Sequence, residues 1–478
     1  MVTSAADTKT KIVCTMGPAT QDTAVLRSLI DEGMDVARIN FSHGTHAEFV
    51  AMIRQIRKAA TEANAVVAIM ADLQGPKLRI GRLSEPLQLS VGNWMSLTSR
   101  PADGSHHVIP LPHPEIIAGA RSGQRLLLDD GAIELEIREV RPDVLVCRVL
   151  VGGRLMSHKG VAVPEGVVAI SAMTQKDRED ARFAVSQGVD FLALSFVRSP
   201  DDVRELRELL RSCGPEAEAI HIVAKIESRQ AIDRFGEILP LVNAVMVARG
   251  DLGVELSPQE VPLYQKEIIH RCNRVGIPVI TATQMLQSMI ENPRPTRAES
   301  SDVANAILDG TDAVMLSAET AVGMFPVEAV RTIREISAVV EDRMLERTDV
   351  SVEGIDHVHP VTDAICNATT QIAAELDVHL IATATWSGYT ARQISRVRPK
   401  QAIVAFTPNP DVQRQLALVW GVAPLLVPAF ETTDNLLEVV SRTLIDAGDG
   451  QPGDWIVLTG GVPIGGGGKT NFITVHRI

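Results

Sequence analysis

Two short stretches carry charge where a buried strand would end. Ile222-Val-Ala-Lys-Ile-Glu227 finishes on Lys225 and Glu227, and Val245-Met-Val-Ala-Arg-Gly-Asp251 finishes on Arg249 and Asp251. Each begins as an apolar run rich in β-branched residues and alanine, the composition of a strand covered on both faces. Glu227 and Asp251 are hard oxygen donors, suited to a Mg²⁺ (or Mn²⁺) that keeps several waters and bridges to a phosphorylated substrate. Gly250 lets backbone approach such a substrate closely. Either stretch alone also fits an ordinary buried strand capped by solvated charges, so the elements around them decide.

Charges at the carboxyl ends of successive parallel strands belong to a (β/α)₈ barrel. Runs of strand character fall at 11–16, 35–40, 66–72, 191–196, 221–227, 244–249, 278–283 and 313–317, the eight that a closed barrel needs. Amphipathic helices are expected near 22–32, 46–63, 174–187, 200–212, 258–274 and 326–343, a βαβ rhythm that means a parallel sheet. Between about Gly75 and Pro164 the rhythm gives way to short alternating runs with Gly, Pro and Asp turns, such as Gln124–Gly131 and Val144–Val149. That pattern predicts a small all-β lid inserted after a barrel strand, overhanging the mouth. From about Ser351 a separate α/β domain is expected, with strands at 379–385, 401–407, 422–427, 454–459 and 471–478. Helices at 360–376, 388–397 and 431–447 complete it. The expected domains are therefore a barrel of 1–75 and 165–350, a lid of 76–164 and a C-terminal domain of 351–478.

The 478 residues are 45% hydrophobic and 22% charged, the balance of a globular protein with a sizeable core. With only ten Phe, four Trp and two Tyr, that core must be aliphatic. A formal charge of −13 argues against a nucleic-acid surface, and it obliges local positive groups to hold any anionic substrate. Five cysteines (14, 147, 213, 272, 366) lack CxxC spacing and read as buried thiols in a reducing cytosol. No run reaches signal-peptide or transmembrane length, so a cytoplasmic protein without membrane contact is expected.

Ala37-Arg-Ile-Asn-Phe-Ser-His-Gly44, Ala71-Asp-Leu-Gln-Gly-Pro-Lys77, Ala224-Lys-Ile-Glu227, Met246-Val-Ala-Arg-Gly-Asp-Leu-Gly253, Thr281-Ala-Thr-Gln-Met-Leu286 and Met315-Leu-Ser-Ala-Glu-Thr320 resemble the pyruvate kinase family. They do so in order and spacing over nearly the whole chain, with the lid and the C-terminal domain where that family has them. The resemblance implies transfer of the phosphoryl group of phosphoenolpyruvate to ADP, leaving an enolate that is protonated to pyruvate. Such a transfer asks for positioning and for positive charge around the moving group. Lys225 can meet the phosphoryl as a point charge, though it also balances Glu227 and Asp251. Arg38 offers a guanidinium to phosphate oxygens, with a barrel-top ion pair as its alternative.

The family also suggests that Thr283 assists the proton relay, and that Ala248, Arg249, Gly250 and Asp251 hold the substrate carboxylate through backbone N–H groups opening a short helix. By the same resemblance Asn40, His43, Arg79 and Lys159 would contact the nucleotide, although a lone His or an exposed Lys is usually solvated surface. Asn40, Ser42, Asp72 and the Leu73 carbonyl match the family's K⁺ ligands. Members that need K⁺ carry Glu where this chain has Lys77. An ammonium there could take the cation's place, and two cations so close would repel, so K⁺ independence is expected. Thr385-Trp-Ser-Gly-Tyr-Thr390 resembles an allosteric phosphate-binding loop through Thr385, Ser387, Gly388 and Thr390. Tyr389 replaces a residue that is often Arg, pointing to a sugar monophosphate or AMP as effector. A homotetramer is implied by the resemblance as well.

Gly465-Gly-Gly-Gly-Lys-Thr470 is not a phosphate loop: Pro463 stands where a Walker A pattern needs Gly, and a strand-like run follows. Two rival readings remain. A Mg²⁺-dependent lyase or aldolase barrel leaves the lid, the Arg38–His43 stretch and the C-terminal domain unexplained. A sensor that has lost turnover would show damage at Lys225, Glu227 or Asp251, where none is visible.

Overall fold

The computed structural model describes residues 8–104, 107–164, 171–346, 359–463 and 469–478. Eight short parallel strands close into a barrel: β1 (Lys11–Thr15), β2 (Val36–Asn40), β3 (Ala68–Asp72), β4 (Phe191–Leu194), β5 (His221–Ile226), β6 (Ala244–Ala248), β7 (Val279–Ala282) and β8 (Ala313–Leu316). β1 pairs with both β2 and β8, so no edge is left open. Alternate residues fill the interior, among them Val13, Met70, Phe191, Met246 and Met315, while Ile12, Ile69, Leu192 and Val245 face the helices. Helix His46–Ala63 starts where the sequence expects, on a capping box between Thr45 and Glu48.

β2 and β3 end where the apolar runs suggest, the other six strands stop one or two residues earlier, and chemistry-bearing residues occupy the turns that follow. Arg249 opens the helix Arg249–Glu255 instead of ending a strand. Phe196, Thr283 and Gln284 take left-handed backbone (φ 53°, 70° and 55°). Such conformations cost of order 1–3 kcal/mol each and persist only where surrounding contacts over-determine them.

The chain leaves the barrel after β3 and returns before helix Gln175–Ser186. In between it forms a six-stranded sheet (94–98, 108–110, 125–128, 133–141, 144–151 and 161–162) and a ribbon of 87–89 against 153–155. This body has its own aliphatic core around Leu97, Ile109, Leu135 and Leu145. The C-terminal sheet runs β11-β10-β9-β12-β13, made of β9 (Leu380–Ala384), β10 (Ala402–Thr407), β11 (Val422–Leu426), β12 (Trp455–Gly460) and an antiparallel edge strand β13 (Phe472–Arg477). The strand after Lys469-Thr470 accords with declining a phosphate loop; residues 464–468 of that motif lie outside the described residues.

One connection in this domain was not legible in advance. A short helix, Pro410–Gln415, leads into the turn Leu416–Leu418, and Ala417 and Leu418 pack into the interior cluster of the barrel from its amino-terminal end. Arg414 binds Asp190 at 2.6 Å, and Arg398 and Lys9 both stack on Trp420, securing the same junction. One cysteine expectation is corrected: Cys213 is exposed, because it follows the last turn of helix Pro200–Ser212 on the surface. The other four are buried.

Candidate active site

At the carboxyl ends of β3, β4 and β5 a buried network surrounds one ammonium. Lys225 Nζ donates to Ser195 Oγ at 2.7 Å and lies 2.9 Å from Glu227 Oε1 and 3.4 Å from Asp72 Oδ1. Burial pulls the lysine pKa down, but Asp72 and Glu227 outweigh it and hold Lys225 above its ordinary range. Lys225 therefore stays charged in a setting where charge is worth most. Asp72 answers in the opposite sense. Burial alone would raise it, and Lys225 with Arg38 pulls it below the usual carboxylate range.

Arg38 reaches the same mouth from β2, as barrel closure requires. Its Nε donates to Asp72 Oδ2 at 2.7 Å and its Nη1 to Thr15 Oγ1 at 2.8 Å. The ion pair considered as the alternative for Arg38 is thus formed, and it fixes the guanidinium at the barrel rim.

Glu227 accepts from Phe196 N–H at 2.6 Å through Oε2, while its buried Oε1 faces the Lys225 ammonium at 2.9 Å. Burial raises both Glu227 and Asp251, and each carboxylate lies within reach of the other's charge network. Two carboxylates that both resist ionisation, with Asp251 adding to the cost at Glu227, fit a divalent cation that would relieve both. Among the described residues no group of three or more His, Cys, Asp and Glu converges. The donor set is that of a metal completed by water and substrate oxygens.

Thr283 sits opposite. Its Oγ1 accepts from Gly250 N–H at 2.8 Å and donates to the Ala282 carbonyl at 2.6 Å. The Arg249 side chain turns away from the mouth, pairs with Asp302 at 2.7 Å and donates to the Thr283 carbonyl at 2.7 Å. Arg249 thus braces the left-handed turn at Thr283, leaving only its backbone for a ligand.

A cleft of about 430 Å³ joins barrel and lid, lined by Lys77, Arg79 and Lys159 on one side and Glu227, Asp251 and Glu255 on the other. Lys159 pairs with Asp129 at 2.7 Å, and Arg79 donates to the His158 carbonyl at 3.2 Å. Burial lowers the Lys77 pKa, helped by Arg79, while Asp251 opposes that shift. Lys77 thus faces the site and not bulk solvent alone. Burial also pushes Glu255 up to about 7, against the pull of Arg198.

Family models describe the same chain in two pieces: a pyruvate kinase barrel domain matches residues 7–330 and a pyruvate kinase alpha/beta domain matches residues 363–476. The chain belongs to the pyruvate kinase family. It is 46% identical to pyruvate kinase 2 of Synechocystis sp. over all of its own length and 80% of that relative's. It is equally 46% identical to the pyruvate kinase of Geobacillus stearothermophilus, with 98% of this chain and 80% of the relative covered. A crystal structure of a pyruvate kinase from Cryptosporidium parvum superposes with a TM-score of 0.90 at 35% identity, covering 98% of this chain and 96% of the other. Pyruvate kinases are phosphotransferases, and the ammonium, guanidinium and carboxylates at this barrel mouth are the groups such chemistry requires.

The remaining residues that resemble pyruvate kinase positions fall in three places. Asn40 Oδ1 accepts from Ser42 N–H at 3.0 Å, and Asn40 pairs in register with Asp72, so Asn40, Ser42, Asp72 and Leu73 lie side by side at the ends of β2 and β3. His43 lies in the exposed turn beyond them. Thr385, Ser387 and Thr390 line a narrow cavity of the C-terminal domain, where Gly388 takes φ 75° and Thr390 Oγ1 accepts from Thr470 Oγ1 at 2.9 Å.

Sequence reasoning missed Thr15, Ser195 and Phe196. Thr15 and Ser195 are small polar residues at strand ends, and a polar residue closing an apolar run on each strand was the available signal. Phe196 acts through its N–H and carries no side-chain signal.

Proposed function

We propose that the cleft transfers the phosphoryl group of phosphoenolpyruvate to ADP, giving pyruvate and ATP. The observation that carries this reading is the Lys225 ammonium, kept charged by Asp72 and Glu227 at the barrel mouth beneath a lid bearing Lys77, Arg79 and Lys159. Arg38 and Lys225 hold the substrate phosphate from two sides. The Asp251 N–H, in the first turn of helix Arg249–Glu255, receives the substrate carboxylate together with backbone at Ala248–Gly250. Glu227 and Asp251 hold Mg²⁺, which when bound neutralises charge on the phosphoryl oxygens.

The bond from phosphorus to the enol oxygen breaks as a terminal oxygen of ADP bonds to phosphorus. The enolate carbon then takes a proton, relayed through water positioned by Thr283. Asn40, His43, Arg79 and Lys159 hold the nucleotide.

K⁺ is not required on this reading. The Leu73 carbonyl already accepts from Ser195 Oγ at 2.7 Å, Asp72 is paired with Arg38 and Lys225, and Asn40 Oδ1 accepts from Ser42. With those oxygens engaged, the Lys77 ammonium supplies the missing positive charge. The loop carrying Thr385, Ser387, Gly388 and Thr390 takes the phosphate of an allosteric effector, a sugar monophosphate or AMP. The family resemblance further supports a cytoplasmic homotetramer; no helix among the described residues is long and apolar enough to cross a membrane.

The test is pyruvate formation from phosphoenolpyruvate with ADP or Mg²⁺ omitted in turn. Both omissions should abolish it. Pyruvate formed without ADP would favour a lyase instead.

A further inference from the structure

We propose that Asp177 is a positioning residue that anchors the outgoing hinge of the lid and thereby sets where the lid's cations sit over the metal carboxylates. This rests on the reading that Arg79 and Lys159 hold the nucleotide. Asp177 is fully buried in the first turn of helix Gln175–Ser186, the element that receives the chain after the lid. Its Oδ2 accepts from Thr174 N–H at 2.8 Å and Thr174 Oγ1 at 2.6 Å, an ordinary capping box. Its Oδ1 does something a cap does not require: it accepts from the Gly75 N–H at 3.0 Å, 102 residues away in sequence. Gly75 is where the chain departs for the lid, two residues before Lys77. One carboxylate therefore ties the outgoing connection to the start of the helix that follows the lid.

The other side of Gly75 is equally constrained. It has φ 68°, and a Cβ there would lie 2.8 Å from the Phe196 ring and 2.9 Å from Ser195 Cβ. Phe196 N–H holds Glu227, and Ser195 Oγ holds Lys225. The hinge is thus pressed between the Asp177 carboxylate and the residues that position the catalytic ammonium and the metal ligand. The neighbouring Lys176 donates to the Phe41 carbonyl at 2.8 Å, so the same helical turn also steadies the loop that follows Asn40 and bears Ser42 and His43.

An amide at position 177 has one acceptor oxygen for three donors, and its NH₂ would face an N–H. Asp177→Asn should therefore raise the KM for ADP by about tenfold, the scale of losing one hydrogen bond to a buried carboxylate. The KM for phosphoenolpyruvate should stay within about twofold, because that substrate lies on the barrel side, and hydrogen exchange at Gly75 should quicken by about tenfold. Thr174→Ala removes only the cap hydroxyl; it should lower thermal stability and leave the ADP KM unchanged. A folded Asp177→Asn protein with wild-type ADP KM and wild-type protection at Gly75 would overturn the proposal, as would Thr174→Ala reproducing the ADP effect. Should the Asn variant fail to fold, Gly75→Ala strains the hinge from its other side with the cap intact, and an unchanged ADP KM there would equally overturn it. If the wild-type protein formed no pyruvate with ADP, the functional reading would fail while exchange at Gly75 still decided the anchor.

Discussion

At the end of β5 a single ammonium faces oxygens of Ser195, Glu227 and Asp72, and every neighbour of that lysine has a second task. Asp72 also holds Arg38, Glu227 also takes Phe196 N–H, and Ser195 also donates to the Leu73 carbonyl. Lys77 gives the first prediction at this scale. Activity in K⁺-free buffer should lie within about twofold of activity with K⁺, and Lys77→Glu should create a K⁺ requirement by reversing one local charge. Activity confined to K⁺ buffer in the wild type would discard that role. Glu255 gives the second. Its folded pKa, about 7, exceeds the ordinary 4.5, so the protonated side chain is the form that folding favours. Its contribution to stability is complete below pH 4.5 and is lost as pH rises through about 7. Glu255→Gln should flatten that part of the stability profile in denaturant titrations between those limits; an unchanged slope would show that Glu255 is not the group responsible.

Among the elements, the short strands and the turns after them divide the work. Apolar runs at 221–227 and 244–249 announced their strands because burial on both faces leaves a continuous aliphatic signature. Their last residues were misread, since Glu227 and Arg249 continue the run in sequence while belonging to turns or a helix in space. Thr283 was assigned by resemblance alone, and its left-handed backbone shows why composition was silent: the strain is maintained by Gly250 and Arg249, partners distant in sequence. The Leu416–Leu418 turn left no periodic signal at all, because three residues are too few to show one. Yet Leu418 is fully buried against the barrel interior. Leu418→Ala should cost about 2–5 kcal/mol in urea unfolding, the range for a buried leucine whose cavity cannot collapse. A loss below about 1 kcal/mol would mean that the C-terminal domain does not plug the barrel.

Taken as a whole molecule, the chain carries a strongly negative overall charge, and its cleft sets the cations of the lid opposite the carboxylates of the barrel. Arg38, Lys77, Arg79, Lys159 and Lys225 come from two bodies that no single stretch of sequence unites. The barrel, the β-insertion and the C-terminal α/β unit were legible because each has its own periodicity: eight buried runs, then alternating strands, then helices and strands in turn. What joins them was not. Asp177 on Gly75, Arg414 on Asp190 and the Ala417–Leu418 turn are contacts between residues far apart in the chain, the first two made by residue types common on any surface and the third by a run too short to show a pattern. The central claim, that the buried ammonium of Lys225 stabilises a moving phosphoryl group, has a direct test in the steady-state kinetics of Lys225→Met with phosphoenolpyruvate, ADP and Mg²⁺. The expected result is a fall in kcat of about a thousandfold or more with the phosphoenolpyruvate KM changed only a few-fold, because the interaction removed is made chiefly in the transition state. A kcat close to wild type would contradict the claim.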